Sequence, residues 1–459
     1  MHPKPLPSDT DLHLVELTEW DEVGPEKVPG LKGCSLASED RAQRAAEALR
    51  GRIDIQEGYG GLRIISSSFV GRVDVGPLRI SIRPKLAAMP LTQLLRYAYG
   101  LRDIGTLDKT RSPTAPHGLH DLLVELLAAE AEELIQGGLA RRFVRLAANL
   151  DSPRGRILID QIVRQGGVRE ARLPCLHFER QADWHLNQVL RAGLASAARI
   201  ATDRDLRQRV HRLAEAFGDV GRMPSLDTAD IERAESELTR LTAAYRAALT
   251  IIRLLHDAQG LAFDASQQSS ATPGFLFDMN VFFQRLLSRF LHDNLVGAHI
   301  SDELPIRSLF SYAPGANPKR RRAPTMRPDF ALFREGALCG LLDAKYRDIW
   351  ERGFSAEWLY QLSIYALASP SLVSVLLYAS MSPDACDEQI DVRQPLPFSD
   401  KEPASVILRP VSLPYLAELL GADKARERAG ERRLYAKDLV GLGTHKRALA
   451  HPLGKFRAA

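Results

Sequence analysis

The 459-residue sequence has few cysteines and no long apolar run. Its four cysteines, Cys34, Cys175, Cys339 and Cys386, are far apart and show none of the paired spacings of a zinc site. They predict reduced thiols rather than a disulfide framework. No secretory signal is recognisable at the start, and no apolar run approaches the ~18 residues of a membrane helix. These absences predict a cytoplasmic protein with no membrane partner.

The sequence also lacks the pattern of glycines, lysine and serine or threonine that forms a phosphate-binding P-loop. We therefore expect this chain to bind no nucleotide, so that any nucleotide-driven motor must be another polypeptide. The net charge of +4 is small for this length and does not by itself argue for nucleic-acid binding. An apolar content of 45% and a charged content of 26% are ordinary for a globular protein.

The spacing of apolar residues divides the chain into four predicted domains. Alternation and turn glycines predict a β-rich N-terminal domain at 1–90, with one helix near 39–50. Apolar residues three and four positions apart predict a mainly helical middle region at 91–265, with a short β-like unit after Pro153. The polar loop 267–273 marks the start of an α/β domain at 266–415, which a C-terminal extension at 416–459 follows. The predicted fold class is therefore mixed α/β.

Within the predicted α/β domain, the stretch 274–295 is predicted to be a helix with Asp278 as its N-terminal cap. Two strands follow, then a helix at about 355–368, a strand at 374–380 and a further strand near 404–410. This order of helices and strands predicts one mixed sheet with helices against it.

The most informative segment runs from Arg327 to Trp350. The dipeptide Glu335-Gly336 between two apolar runs predicts a hairpin turn. Because strand side chains alternate faces, Asp343 and Lys345 project to the same side of the second strand. Asp329 can then lie beside them. Two carboxylates and an ammonium at one sheet edge are the groups that a magnesium-dependent cut of a phosphodiester requires.

Magnesium prefers hard oxygen ligands and keeps several waters, so one or two carboxylates are sufficient to hold it. The predicted metal ligands are Asp329, Asp343 and the backbone carbonyl of Ala344, and Mn²⁺ is an alternative ion. Lys345 is expected to orient the attacking water or to stabilise developing charge. A lone Asp-x-Lys pattern is usually the exposed end of an ordinary strand, but the complete constellation is much rarer.

The helix after the hairpin strengthens this interpretation. Gln361 and Tyr365 are four positions apart and share one helical face, which is predicted to point at the acids. We expect both side chains to belong to the catalytic set.

A cationic run precedes the first acid. Its members, predicted to bind the phosphates of double-stranded DNA, are Lys319, Arg320, Arg321, Arg322 and Arg327. The alternative for each of them is a solvated loop with excess charge.

At the acids, the sequence resembles the PD-(D/E)xK nuclease superfamily, and the Gln361/Tyr365 pair resembles its RecB-type branch. The chain further resembles the McrC family, the nuclease subunits of McrBC modification-dependent restriction systems. That resemblance covers about residues 60–370 through the blocks RPKL, LLRYAYGLRD, GLARRFVRLAANLDSPRGRILID, PCLHFERQADWHLNQVLRAGL, FLFDMNVFFQRLL and RPDF…LLDAKYR. The family usually carries an acid in the helix before the hairpin, where this chain has Gln284. The part of Gln284 in metal binding is therefore left open.

The resemblance implies a DNA endonuclease subunit that cleaves methylcytosine-containing DNA through a magnesium-activated water. It also implies a partner, an AAA+ GTPase of the McrB type, on which the chain ahead of the nuclease domain docks and whose GTPase it stimulates. Two alternatives stay open. One is a stand-alone RecB-like nuclease of DNA repair, and the other is a non-catalytic regulatory adaptor of an AAA+ motor.

Overall fold

The computed structural model describes residues 13–36, 40–101, 118–168, 171–263, 274–307, 309–393, 403–421 and 427–442. The chain forms two compact units, one drawn from residues 1–105 and 277–459 and the other from residues 106–276. Helices and several sheets occur together, which confirms the predicted mixed α/β class. Among the described helices, none has the length and apolar character needed to cross a bilayer.

The N-terminal part of the first unit contains two small sheets. Its elements are β1 (His13–Thr18), β2 (Glu22–Val23), α1 (Asp40–Ala48), β3 (Ile53–Gly58), β4 (Gly61–Ser66), β5 (Phe69–Val75), β6 (Leu78–Arg83) and α2 (Ala88–Tyr99). Strand β6 pairs parallel with β1 and antiparallel with β5, and β4 lies between β2 and β3. Alternate side chains such as Val73, Ile80 and Ile82 are buried, so the strands follow the alternation that predicted them.

The second unit is mainly helical but also contains a sheet. Its elements are α3 (Leu119–Gln136), β7 (Arg142–Leu150), β8 (Arg156–Ile157), α4 (Ile159–Arg164), β9 (Leu173–Gln181), α5 (His185–Ile200), α6 (Arg204–Glu215), α7 (Thr228–Ser236) and α8 (Arg246–Phe263). The strands β7 and β9 pair over nine residues each. Of this sheet, the sequence predicted only a β-like unit after Pro153, which is correct for Arg156–Ile157 but wrong for Ile159–Arg164, a helix. Strand β7 was missed because most of its side chains are exposed and show no apolar alternation.

The chain returns to the first unit within β10 (Phe275–Asp278) and forms a six-stranded sheet. The elements are α9 (Met279–Asn294), β11 (His299–Asp302), β12 (Phe330–Arg334), β13 (Ala337–Lys345), α10 (Ile349–Arg352), α11 (Ala356–Ala368), β14 (Val373–Ser380), β15 (Glu388–Val392), β16 (Ala404–Ser412), α12 (Leu413–Leu420) and α13 (Ala429–Leu439). The strand order is β11-β12-β13-β14-β16-β15. The three strands β13, β14 and β16 are parallel, and β12 and β15 run antiparallel to their neighbours.

The helix predicted over 274–295 begins later than expected. Phe275–Asp278 is a strand, and the helix starts at Met279. The reason is long-range, since Phe275 is fully buried and the Met279 N–H donates to the Ser68 carbonyl at 3.0 Å. The predicted cap is confirmed, because the Asp278 side chain accepts the Asn280 N–H at 2.8 Å.

The predicted hairpin is confirmed. Glu335 and Gly336 have φ values of 52° and 81°, as a two-residue type I′ turn requires. The ladder pairs Phe330 with Leu342, so the next position places Asp329 opposite Asp343. Two neighbouring charges therefore lie at the open end of this hairpin.

Helix α11 covers the sheet beside that end. Leu362 and Tyr365 on the helix pack with Leu341, Leu376 and Leu408 of the strands in one buried cluster. Burying one such side chain contributes roughly 1.5–3 kcal/mol, so this packing fixes the helix face relative to the strands.

Two helices run across predicted domain boundaries. Helix α2 spans the predicted 90/91 boundary and α12 spans the one at 415/416. The predicted boundary loop 267–273 lies outside the described residues. The first unit combines residues of the predicted N-terminal and α/β domains, and the four domains stay a prediction.

Candidate active site

The three charged groups singled out from the sequence come together at the open end of the β12–β13 hairpin. Asp343 is 2% exposed, and its Oδ2 lies 2.7 Å from the Lys345 Nζ. Asp329 reaches the same strand, since its Oδ2 accepts the Ala344 N–H at 2.7 Å. The hairpin, whose register shifts by one residue between Leu332 and Phe333, thus brings two acids and one amine to a single place.

The charges in this site act strongly on one another. Desolvation raises the pKa of Asp329 to about 7, the neighbouring charge of Asp343 adds to the rise, and the Ala344 N–H and Lys345 oppose it. For Lys345, desolvation alone lowers the pKa, but the charge and hydrogen bond of Asp343 and the charge of Asp329 outweigh it, and the net shift is upward. The two acids repel each other in a dehydrated place, and among the described residues Lys345 is the ammonium that balances them. An additional cation would relieve that repulsion.

The donor set fits a hard divalent cation. Two carboxylates at one edge match the hard oxygen ligands that Mg²⁺ prefers. Across the described residues, no group of three or more His, Cys, Asp or Glu side chains is arranged to hold a metal ion, so any ion here would depend on the two carboxylates and on other oxygens. The backbone of Ala344 lies at the acids through its N–H, and a ligand role for its carbonyl stays a prediction.

Gln284 on α9 contacts the acids directly. Its Nε2 donates to Asp329 Oδ1 at 3.1 Å and lies 3.5 Å from Glu303 Oε1. The Glu303 N–H also donates to the Asp329 carbonyl at 3.0 Å. Glu303 is a carboxylate near the site that sequence reasoning missed. It follows the short strand β11, and only the tertiary fold carries it there.

The predicted pair on α11 is joined by a hydrogen bond. The Gln361 Nε2 donates to the Tyr365 hydroxyl at 2.8 Å, and Tyr365 is 1% exposed. Desolvation raises the pKa of Tyr365 to about 12, with smaller upward contributions from the charges of Asp343 and Asp329 and an opposing one from Gln361. The charges of both acids therefore act on the tyrosine hydroxyl, and a direct contact of Gln361 or Tyr365 with the acids stays a prediction.

The cationic run lies on the connection between β11 and β12. All of its members are exposed: Lys319, Arg320, Arg321, Arg322 and Arg327. The Asn317 side chain holds the loop by accepting the Arg321 N–H and donating to the Arg321 carbonyl, both at 2.8 Å. Contact between these cations and DNA stays a prediction.

The chain that leaves Lys345 is held by residues that the sequence did not reveal. The Tyr346 N–H donates to Asn280 Oδ1, and the Trp20 Nε1–H donates to the Tyr346 carbonyl, both at 3.0 Å. The Tyr346 hydroxyl donates to Glu19, whose burial raises its pKa to about 7. Trp20 and Tyr346 are 326 positions apart, so no local pattern could have signalled this contact.

The chain is similar to proteins of a known family. A family model described as McrBC 5-methylcytosine restriction system component matches residues 65–379, more than half of the chain. Among curated proteins, no significant match is found.

Two solved structures resemble the fold. One is a refined half-complex from a tetradecameric assembly of Thermococcus gammatolerans McrB AAA+ hexamers with bound McrC. Its matching chain is covered completely, with 93% of this chain aligned, 20% identity and a TM-score of 0.64. The other, a cryo-EM structure of the Thermococcus gammatolerans McrBC complex, aligns 62% of this chain and 88% of its own at 21% identity and a TM-score of 0.46.

The fold and the site define a mixed α/β protein with a pair of acids and a lysine at the open end of a hairpin. The chain belongs to the family of McrBC 5-methylcytosine restriction system components. The resemblance to McrC predicted from the sequence is thereby confirmed.

Proposed function

We propose that this chain is the magnesium-dependent endodeoxyribonuclease subunit of a GTP-dependent McrBC-like restriction system. The observation that carries the proposal is the convergence of Asp329, Asp343 and Lys345, with Asp343 and Lys345 2.7 Å apart. The chain would have the PD-(D/E)xK nuclease fold and would use Mg²⁺ as its cofactor. Family membership supports the restriction system, and the residues support the chemistry.

The ion would be held by the carboxylates of Asp329 and Asp343 and by the Ala344 carbonyl. Bound Mg²⁺ lowers the pKa of a coordinated water and neutralises charge on a phosphate. Asp343 now shares its Oδ2 with Lys345 at 2.7 Å. With that carboxylate engaged by a cation, the ammonium of Lys345 would be free to donate to the attacking water or to a phosphate oxygen.

The neighbouring side chains would position these groups. Gln361 donates to Tyr365, which restricts the Gln361 amide to one orientation on α11. Gln284 donates to Asp329 Oδ1 and so holds the orientation of that carboxylate. On this proposal Gln284 is a positioning residue, and the absence of an acid at its position does not remove the two carboxylates of the site.

The partners of the site would be double-stranded DNA and an AAA+ GTPase subunit of the McrB type. The exposed cations Lys319, Arg320, Arg321 and Arg322 supply the positive charge that phosphates require. The similar structure of McrB AAA+ hexamers with bound McrC supports the GTPase partner. The N-terminal domain would dock on that partner and stimulate its GTPase.

The test is cleavage of methylated and unmethylated plasmid by the full chain with its partner GTPase, GTP and Mg²⁺. Asp343→Asn should abolish cleavage and leave GTPase stimulation intact, because it removes the charge that binds the ion without changing the size of the side chain. Asp391→Asn is the matched control, since Asp391 is an exposed acid on β15 at the far edge of the same sheet. It should cleave like the wild type.

Each alternative gives a different result in the same assay. A stand-alone nuclease cleaves without the GTPase and without GTP. A non-catalytic adaptor stimulates GTP hydrolysis but never cleaves, even as the wild type. Unchanged cleavage by Asp343→Asn would refute the assigned site.

A further inference from the structure

Arg347 lies two positions after Lys345 and is held over aromatic rings. Its guanidinium carbon is 5.2 Å from the centroid of the Trp20 ring and 5.6 Å from that of Trp358. Contacts of this kind contribute roughly 0.5–2 kcal/mol each, depending on how dehydrated they are. Two of them fix the plane of one guanidinium.

This guanidinium has no anionic partner among the described residues. Its Nε is buried and has no hydrogen-bond acceptor. The nearest carboxylate in sequence, Asp348, is engaged elsewhere: Oδ1 accepts the Glu351 N–H at 3.4 Å, and Oδ2 accepts the Ser380 hydroxyl at 3.2 Å. Arg347 is half-buried, and a fixed, partly dehydrated cation without a counter-charge is unusual.

A second cation lies close to the first. Desolvation lowers the pKa of Arg347, and the positive charge of Arg352 lowers it further. Arg352 itself donates to the Trp20 carbonyl, and no acidic side chain in the described part of the chain forms an ion pair with it. The pair is therefore a small, preformed region of uncompensated positive charge.

The surroundings place this region beside the candidate site. Two residues of chain span at most about 7 Å, which is the limit on the backbone separation of Lys345 and Arg347. On α11, Trp358 precedes Gln361 by three positions, so the two side chains share one side of the helix. Trp20 is anchored at the same place, because its Nε1–H donates to the Tyr346 carbonyl.

We propose that Arg347, held over Trp20 and Trp358, binds the DNA phosphate next to the one that is cleaved. The inference rests on the proposed nuclease function and adds a phosphate-binding residue to it. Guanidinium groups bind phosphate through two parallel N–H···O bonds, which needs a fixed plane and free terminal nitrogens. The two indoles provide the plane, and the arriving phosphate provides the missing counter-charge.

The experiment measures DNA binding as a function of salt. The full chain with its partner GTPase is used, and every variant also carries Asp343→Asn so that the DNA stays intact. Arg347→Gln should weaken binding of a fluorescein-labelled duplex roughly tenfold at low salt. It should also reduce the slope of log K against log salt by about 0.9, the effect of one lost phosphate contact.

Two further variants separate binding from structure. Arg347→Lys keeps the charge and should restore the slope, but only part of the affinity, because an ammonium cannot bond bidentately. Arg334→Ala is the control, since Arg334 is an exposed arginine at the turn end of the same hairpin, five residues from Asp329. It should leave affinity and slope as they are.

The outcomes are distinct. If Arg347→Gln lowers the melting temperature but leaves the salt slope unchanged, Arg347 is structural and the inference is overturned. An unchanged slope with unchanged stability overturns it as well. If the parent complex neither binds the duplex nor, without Asp343→Asn, cleaves it, the proposed function itself fails.

Discussion

The two ends of the β12–β13 hairpin differ in the burial and charge of their side chains. At the turn end, Glu335 and Gly336 take the positive φ values of a tight turn, and the flanking Arg334 and Ala337 are exposed. At the open end, Asp343 is almost fully buried against Lys345. The turn end satisfies local preferences, whereas the open end holds charges that would be more stable in water. Groups retained against their own solvation indicate a site that is built for binding or chemistry.

The largest effect should come from removing the amine at the open end. Lys345→Met keeps the length and apolar stem but deletes the ammonium that is paired with Asp343. We expect cleavage by the complex with its partner to fall about 10³-fold, which corresponds to roughly 4 kcal/mol of lost transition-state stabilisation. Single-turnover cleavage of a methylated duplex measures this.

Arg334→Met is the matched control because it removes a cation from the turn end. It should cleave at the wild-type rate. Equal losses in both variants would mean that the two ends do not differ in the way described.

A smaller loss is expected on α11. Gln361→Ala removes the amide that donates to the buried Tyr365 hydroxyl at 2.8 Å. We expect cleavage to fall by roughly tenfold to a hundredfold, the range in which a positioning hydrogen bond acts. Ser363→Ala, on the same helix with its hydroxyl bonded to the Leu359 carbonyl, is the control. A larger fall in Ser363→Ala would argue that helix integrity, and not the Gln361 amide, explains the loss.

The open end should also respond to pH. Desolvation, followed by the charge of Asp343, raises the pKa of Asp329 from its ordinary value of 3.8 to about 7. The native state then binds more protons than the unfolded state, so this group's stabilising contribution is complete below pH 4 and is lost as pH rises through 7. A divalent ion has to displace that proton.

Stabilisation by Mg²⁺ should therefore be weak at pH 5.5 and increase up to pH 8. The shift in melting temperature on adding Mg²⁺, measured across this range, tests the sign without any need for activity. Asp329→Asn should remove most of the shift and its pH dependence. An equal shift at pH 5.5 and pH 8 in the wild type would contradict the raised pKa.

Features that depend on local sequence could be predicted, and features that depend on long-range contacts could not. The turn at Glu335-Gly336 and the cap at Asp278 depend on neighbouring residues only, and both were predicted. The alternation of Asp343 and Lys345 is likewise local. The strand Phe275–Asp278 was missed because its pairing partner belongs to the N-terminal sheet, about 200 residues earlier in the chain.

Contacts between distant segments of the first unit could not be predicted from the sequence either. Glu303 reaches Gln284 only because β11 pairs with β12, and Trp20 reaches Tyr346 across 326 positions. Neither pair has a spacing or a composition that marks it. The two acids, which the hairpin brings together, could be predicted, and the groups that surround them depend on tertiary packing that periodicity does not describe.

The smallest effect should come from the turn end, where folding and not chemistry is at stake. Gly336 has a φ of 81°, a region that disfavours any residue with a Cβ, and no atom would meet an added Cβ there. Gly336→Ala should therefore cost roughly 1–2 kcal/mol through backbone strain alone and lower the melting temperature slightly. Gly340→Ala is the control, because Gly340 lies on β13, the strand after the turn, in open space without a positive φ. It should be neutral or slightly stabilising, and both variants should cleave at the wild-type rate.

If Gly336→Ala is fully folded but loses cleavage, the turn end also affects the acids at the open end. The proposed division between the two ends would then be wrong.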